Sequence, residues 1–149
     1  MSSSFDDIDR AILRHLLEDG RADEDALASA ADASAATVSF RRARLEATDV
    51  VRGYKPALNY DALGFQTVLL HLRSREPTAT AETLGDHTGV VSVYETTGHH
   101  NVLAVVRVAD DADLDALVEA ITTDTAVSAA TASPASRTVC EYRPVEPVE

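Results

Sequence analysis

Apolar residues recur at helical spacing from the start of the chain. Phe5, Ile8, Ile12 and Leu16 step by three or four, and Leu13 and Leu17 widen the same face, which predicts a helix over residues 6–18. Asp6, Asp7 and Asp9 crowd its positive end, and Gly20 is positioned to stop it. A second helix is predicted over 23–31. Asp23 caps it, Glu24 and Asp25 suit its first turn, and Ala26, Leu27, Ala30 and Ala31 form its buried face. Asp32-Ala33 then makes a turn. Ser34 caps a third helix running to about Thr48, with Val38 and Leu45 directed inward. Short helices with a tight turn between the second and third form a helix-turn-helix arrangement.

After Thr48 the period changes. Val50 to Leu58 reads as a strand or extended linker, and Pro56 confines it to an edge or an end. Residues 59–64 connect to a second half. There the pattern predicts a strand over 65–73, a helix over about 79–88, and strands over 90–97 and 101–108. A helix over 111–123 follows, with Leu114, Leu117, Val118 and Ile121 at i, i+3, i+4 and i+7, and a last extended stretch ends near Tyr142. The order is βαββαβ, the ferredoxin-like arrangement. The expected fold class is therefore α+β: an N-terminal winged helix-turn-helix and a C-terminal ferredoxin-like domain. The expected boundaries are 1–50 for the helices, 51–64 for linker strand and hinge, 65–142 for the second domain and 143–149 for a frayed tail. Helices on one side of such a sheet leave its other face uncovered. The natural cover is a second copy, so a homodimer or higher even oligomer is expected.

Composition changes this picture in two ways. The chain has 149 residues, 45% of them hydrophobic, enough for a real core. No apolar run reaches the ~18 residues of a membrane span. The first residues lack the basic start and apolar stretch of a signal peptide, so a cytoplasmic protein is expected, with no membrane partner. A single cysteine, Cys140, excludes an intramolecular disulfide and any multi-cysteine zinc site, and is expected to be a small buried hydrophobe. The second change concerns charge. There are 25 acidic residues against 13 Lys and Arg, a net charge of −12, and Lys55 is the only lysine. Acidity with scarce lysine resembles the composition of proteins from salt-loving archaea, whose surface repulsion is screened at a Debye length of ~3 Å in 1 M salt. The balance is uneven. Residues 34–58 carry five bases and two acids, net +3, whereas residues 59–149 carry five bases and fourteen acids, net −9.

The positive charge coincides with the third helix. With Val38 and Leu45 inward, Ala36, Ser39, Phe40 and Ala43 point outward, with Arg41 and Arg44 flanking them. Arginine can bond guanine edges or phosphates, serine and threonine can bond either, and a ring or methyl can touch a thymine methyl. Ser34, Ala36, Thr37, Ser39, Phe40, Arg41, Arg42 and Arg44 are thus the candidate contacts to double-stranded DNA. No metal or other cofactor is expected. His99 and His100 are adjacent, so on a strand they point oppositely, and His71 and His87 lie elsewhere without ligand spacing. No ordered Ser/His/Asp set suggests catalysis, so no enzyme is expected.

The ordered set of motifs resembles the Lrp/AsnC family of transcriptional regulators. Ile8-Asp9-Arg10-Ala11-Ile12-Leu13 with Leu17-Glu18-Asp19-Gly20-Arg21 is similar to the family's first helix and its ending. Ser34-Ala35-Ala36-Thr37-Val38-Ser39 with Arg41 and Leu45-Glu46 is similar to its recognition helix, and Val50-Val51-Arg52-Gly53-Tyr54 to the strand after it. Leu63-Gly64-Phe65 resembles the start of the effector domain, and Thr96-Thr97-Gly98 before Asn101-Val102-Leu103 the turn between its second and third strands. The resemblance implies a sequence-selective DNA-binding regulator acting as a dimer or larger assembly. It also implies a small-molecule effector bound near the Gly98 turn, at contacts between dimers. Thr97, Gly98, His99, His100 and Asn101, with Ser133 and Ser136 from the loop after the last helix, are the effector candidates. Three residues depart from the family pattern. Arg42 stands where an aliphatic residue is usual, Asp32 where glycine is frequent, and neutral Asn101 where an acidic residue would suit a ligand ammonium. The alternative is a ligand-binding or assembly protein whose helix-turn-helix no longer binds DNA. The Arg41/Arg42/Arg44 cluster separates the two, because a decayed reader has no evident reason to keep arginines in an acidic chain.

Overall fold

A computed structural model describes residues 5–147. By its contacts the chain forms two compact units. One comprises the chain up to Ala57 together with the segment from Cys140, the other Leu58–Val139.

The first unit holds helices α1 (Asp7–Glu18), α2 (Glu24–Ala31) and α3 (Ala35–Ala47). Each start is capped by the side chain the sequence offers. Asp6 accepts from the Asp9 N–H, Asp23 from the Ala26 N–H and Ser34 from the Thr37 N–H, satisfying donors that the first helical turn leaves without partners. At α1 the cap is reciprocal, since the Asp6 N–H donates to the Asp9 carboxylate. The helix ends at Glu18, not through Gly20. Asp19 turns to extended backbone and its carboxylate accepts from the Arg21 N–H at 2.9 Å, closing a local turn. Asp32 takes the left-handed conformation after α2, φ +48°, and so does the work glycine often does there. Ile12, Ala22, Leu27, Val38 and Leu45 form the core, with Phe5, Ile8, Leu13 and Leu16 packed around it. Leu17 and Ala30, expected on buried faces, are exposed.

Residues 50–58 form no strand. They make no ladder pairing within the chain, so among the described residues no wing accompanies the helices. The physical reason is the lack of a partner strand: Pro56 offers no donor and nothing adjacent supplies one.

The second unit is a four-stranded antiparallel sheet in the order β2-β3-β1-β4. Its strands are β1 (Gln66–Ser74), β2 (Val90–Glu95), β3 (Val102–Val108) and β4 (Val127–Pro134), and its helices α4 (Pro77–Gly85) and α5 (Asp111–Thr122). Alternation decides the faces. Val68, Leu70 and Leu72 of β1, and Val102, Ala104, Val106 and Val108 of β3, are buried with Leu84 of α4 and Leu117 and Ile121 of α5. The intervening residues Leu69, His71, Leu103 and Val105 point to the other face, where Leu69 and, on β2, Tyr94 are exposed. Pro77 opens α4 two residues ahead of the expected start, at the helix position that tolerates a missing N–H. β4 stops at Pro134, well before Tyr142, because proline cannot continue the ladder. The segment from Cys140 belongs to the first unit, where Glu146 pairs with Arg14 at 3.4 Å, and Cys140 itself is exposed rather than buried. Among the described residues no helix is long and apolar enough to cross a membrane.

Candidate nucleic-acid interface and effector turn

Helix α3 is fixed by an acid at its back. Asp9 is fully buried, and it lies one turn before Ile12 on the buried face of α1. Arg44 Nη2 donates to it at 2.6 Å, and Arg41 Nη1 reaches it at 3.2 Å while meeting Asp6 at 2.7 Å. A buried carboxylate is tolerable only with such charge-assisted partners. The hydrogen bond and charge of Asp6 raise the Arg41 pKa further. The Asp6 carboxyl is held below its ordinary value, chiefly by the Asp9 N–H and then by Arg41, with burial acting the other way.

Arg42 is equally committed. Its guanidinium donates to the Ala22 carbonyl, to Glu46 and to the Tyr54 hydroxyl, each at 3.2 Å, and lies 5.0 Å from the centre of the Tyr54 ring. Burial works against its charge, but the bonds to Tyr54 and Glu46 more than offset that. Arg42 thus ties α3 to the turn before α2 and to the segment after α3. The side chain is largely buried, and its head finds polar partners rather than water alone. Arg41, Arg42 and Arg44 therefore all have structural reasons to be present. The cluster loses its power to separate a DNA reader from a decayed one.

What α3 leaves outward is different in kind. At about 100° per residue, Ala36, Phe40, Ala43 and Ala47 fall on one line opposite Val38 and Leu45, and all four are exposed. Ser34 and Thr37 are joined by their hydroxyls at 2.9 Å in the N-cap, and Ser39 is half-buried.

The Gly98 turn closes β2 onto β3. Thr96 Oγ1 donates to the His100 carbonyl at 2.7 Å, and Arg73 of β1 donates to the His99 carbonyl at 2.9 Å. Gly98 and Thr97 are exposed at its tip. The His99 and His100 rings meet at 5.1 Å, and His100 meets His71 of the open sheet face at 5.8 Å. Among the described residues no three His, Cys, Asp or Glu side chains are grouped to hold a metal ion. Asn101 is engaged with the sheet. Its amide oxygen accepts from the Ser74 N–H and its amide nitrogen donates to the Ser74 carbonyl, both at 2.8 Å. The side chain thereby continues the backbone pairing of β1 by one residue.

Within one chain the effector candidates do not converge. Ser133 pairs opposite Leu69, and Ala135 donates to the Thr67 carbonyl, so Ser136 lies near the beginning of β1. The Gly98 turn lies at the end of β1, where Leu72 faces Val102. Antiparallel register separates the two groups along the sheet.

Several residues at these sites escaped the sequence reading. Asp9 had a signal, an acid on an apolar stripe with arginines nearby in the fold. Arg73 and Ser74 had none, because only strand pairing brings them to the turn. Arg107 interrupts the apolar run of β3. It is buried, bonded to the Thr67 hydroxyl, with its guanidinium 4.7 Å from the centre of the Tyr60 ring. It borders a cleft of about 400 Å³ shared with Phe65, His87, Gly89 and Asp113.

Comparison with known proteins decides the family. Residues 5–46 match the AsnC-type helix-turn-helix domain, and residues 67–145, more than half of the chain, match the Lrp/AsnC ligand binding domain. The chain belongs to the Lrp/AsnC family of transcriptional regulators. Among Lrp/AsnC relatives, the transcriptional regulator LrpA of Mycobacterium tuberculosis is 34% identical over 83% of this chain and 85% of its own length. The regulator FL11 of Pyrococcus abyssi is 26% identical over 81% and 82%. The crystal structure of the M. tuberculosis leucine response regulatory protein superposes with a TM-score of 0.87 at 30% identity, covering 96% of this chain and all of that one. A feast or famine regulatory protein from the same organism, complexed with L-methionine, gives 0.85 at 30% identity, covering 97% and 100%. The Lrp/AsnC architecture, helix-turn-helix followed by a four-stranded sheet with helices, is the architecture found here.

Proposed function

We propose that this Lrp/AsnC regulator binds double-stranded DNA sequence-selectively in the cytoplasm, as a homodimer or larger even oligomer, and performs no chemistry itself. The observation that carries the reading is α3, capped and braced on its inner side by Asp9 and Ala22, with its outermost line left exposed inside the matched helix-turn-helix region. A helix presented in this way fits a major groove. Leu69, Leu103, Val105 and Tyr94 on the open sheet face support assembly through that face. An effector would sit at the Gly98 turn, and Ser133 and Ser136 would have to come from a neighbouring copy. With the Asn101 amide already committed to Ser74, no carboxylate at that position is offered to an ammonium group. The methionine complex of the relative makes free amino acids the class to test, and the expectation for this chain is weak affinity.

Selection of genomic fragments by the full chain at high potassium, followed by sequencing, tests the central claim. Enrichment of a shared, two-fold related motif is expected. Uniform recovery of fragments would support the second reading, an assembly or ligand-binding protein. That reading draws on the net charge of −12 and on arginines that already have partners. Sedimentation of the same protein is expected to give a dimer or larger, and a monomer at micromolar concentration would remove the role given to the sheet face.

A further inference from the structure

We propose that Phe40 is the base-reading residue of α3 and that it reads thymine 5-methyl groups. The inference rests on the reading that α3 enters the major groove. Phe40 is 69% exposed, the most exposed ring among the large hydrophobic residues that face solvent. It lies on the line farthest from Val38 and Leu45, so it meets the floor of any groove α3 enters. Ala36 and Ala43, one turn to either side, are exposed and too short to hold it away from a base edge. The side chains that ordinarily read bases by hydrogen bonds are held elsewhere: Arg41 and Arg44 by Asp9, and Arg42 by Ala22, Glu46 and Tyr54. Their remaining N–H groups suit phosphates at the groove walls, since Asp9 anchors them behind the exposed line. A phenyl ring has no donor or acceptor for guanine, cytosine or adenine edges. The thymine methyl is the largest apolar group on the major-groove edges, so it is the feature a ring recognises best.

The test uses the full chain and a random-sequence duplex pool, selected at high potassium chloride. The best-retained duplex is then remade with uracil in place of thymine, which removes only the methyl groups. The native protein is expected to bind the uracil duplex less tightly, by about fourfold for each methyl contacted. Phe40→Ala is expected to bind both duplexes alike, with the dependence on salt unchanged because no phosphate contact is lost. Phe40→Leu, which keeps apolar bulk, is expected to retain part of the preference. Circular dichroism checks that the variants remain folded. Equal affinity of the native protein for both duplexes would overturn the inference while leaving DNA binding intact. So would a Phe40→Ala variant that still prefers thymine, or one weakened equally on both duplexes, which would assign Phe40 to a protein contact. Failure of the native protein to retain any duplex would overturn the underlying reading as well.

Discussion

At the residue scale, the decisive feature is that one buried carboxylate organises the recognition helix. Asp9 accepts from Arg41 and Arg44, so replacing both arginines strands a charge in the core of the helical unit. The pair Arg41→Ala/Arg44→Ala should therefore lose about 3 kcal/mol of stability, the low end for removing partners from a buried charge, because Asp9 keeps the Asp6 N–H. Urea unfolding measures it. An unchanged midpoint would mean that Asp9 is sufficiently served by water and that the arginines act only outward. Asn101 makes a parallel case. Asn101→Asp removes the donor to the Ser74 carbonyl and sets a carboxylate against it, a change expected to cost about 1–3 kcal/mol. The thermal midpoint should fall and calorimetry with amino acids should show no gain. A gain in affinity at constant stability would return Asn101 to the ligand site.

At the element scale, turns and caps fix where helices and strands begin. Gly89, just before β2, has φ +86°, and a Cβ there would lie 2.6 Å from the Arg107 carbonyl oxygen. The same stretch is tied by the Arg107 N–H donating to the Gly89 carbonyl at 2.8 Å. Gly89→Ala should destabilise the sheet unit by about 1–3 kcal/mol, since left-handed backbone and steric overlap act together. Hydrogen exchange at the β2–β3 pairing is the sensitive readout, and unaltered protection there would contradict the geometry. At α1 the cap carries a pH signature. Because the Asp6 carboxyl is held below its ordinary value in the folded state, its stabilisation is complete above the unfolded carboxylate value. It is lost as pH falls through the lower folded value, roughly from pH 4 downward. Asp6→Asn keeps an acceptor for the Asp9 N–H but not the charge. Its melting temperature should fall less steeply than the native one over that range, and identical slopes would exclude a contribution from Asp6.

At the scale of the whole molecule, charge sets the conditions for folding and assembly. A net charge of −12 is self-repulsive when the Debye length is ~10 Å at 0.1 M salt, and hardly so at ~3 Å in 1 M salt. The melting temperature should fall as potassium chloride is lowered from 1 M or above to 0.1 M. A level or rising value would count against adaptation of this surface to salt. The same repulsion bears on the open sheet face, where apolar Leu69 and Tyr94 are exposed. Dissociation of any assembly should accompany the loss of salt.

Features that depend on neighbours along the chain follow from the order of the residues. Helical spacing, cap residues and strand alternation are local, so α1 to α3, the βαββαβ order and Asp32 in its left-handed turn were all legible from it. Val38 and Leu45 follow from the same periodicity, and so does the outward line through Phe40. Features that depend on partners far apart in the chain emerged only on folding. The strand expected at 50–58 did not form, because a strand exists only with a ladder partner. Asp9 became the anchor of α3 through arginines 32 and 35 residues away. Asn101 became part of the sheet through Ser74, 27 residues away. Spacing can name residues able to carry charge or hydrogen bonds, but the fold decides which groups bond each other first, and so which ones remain for a ligand.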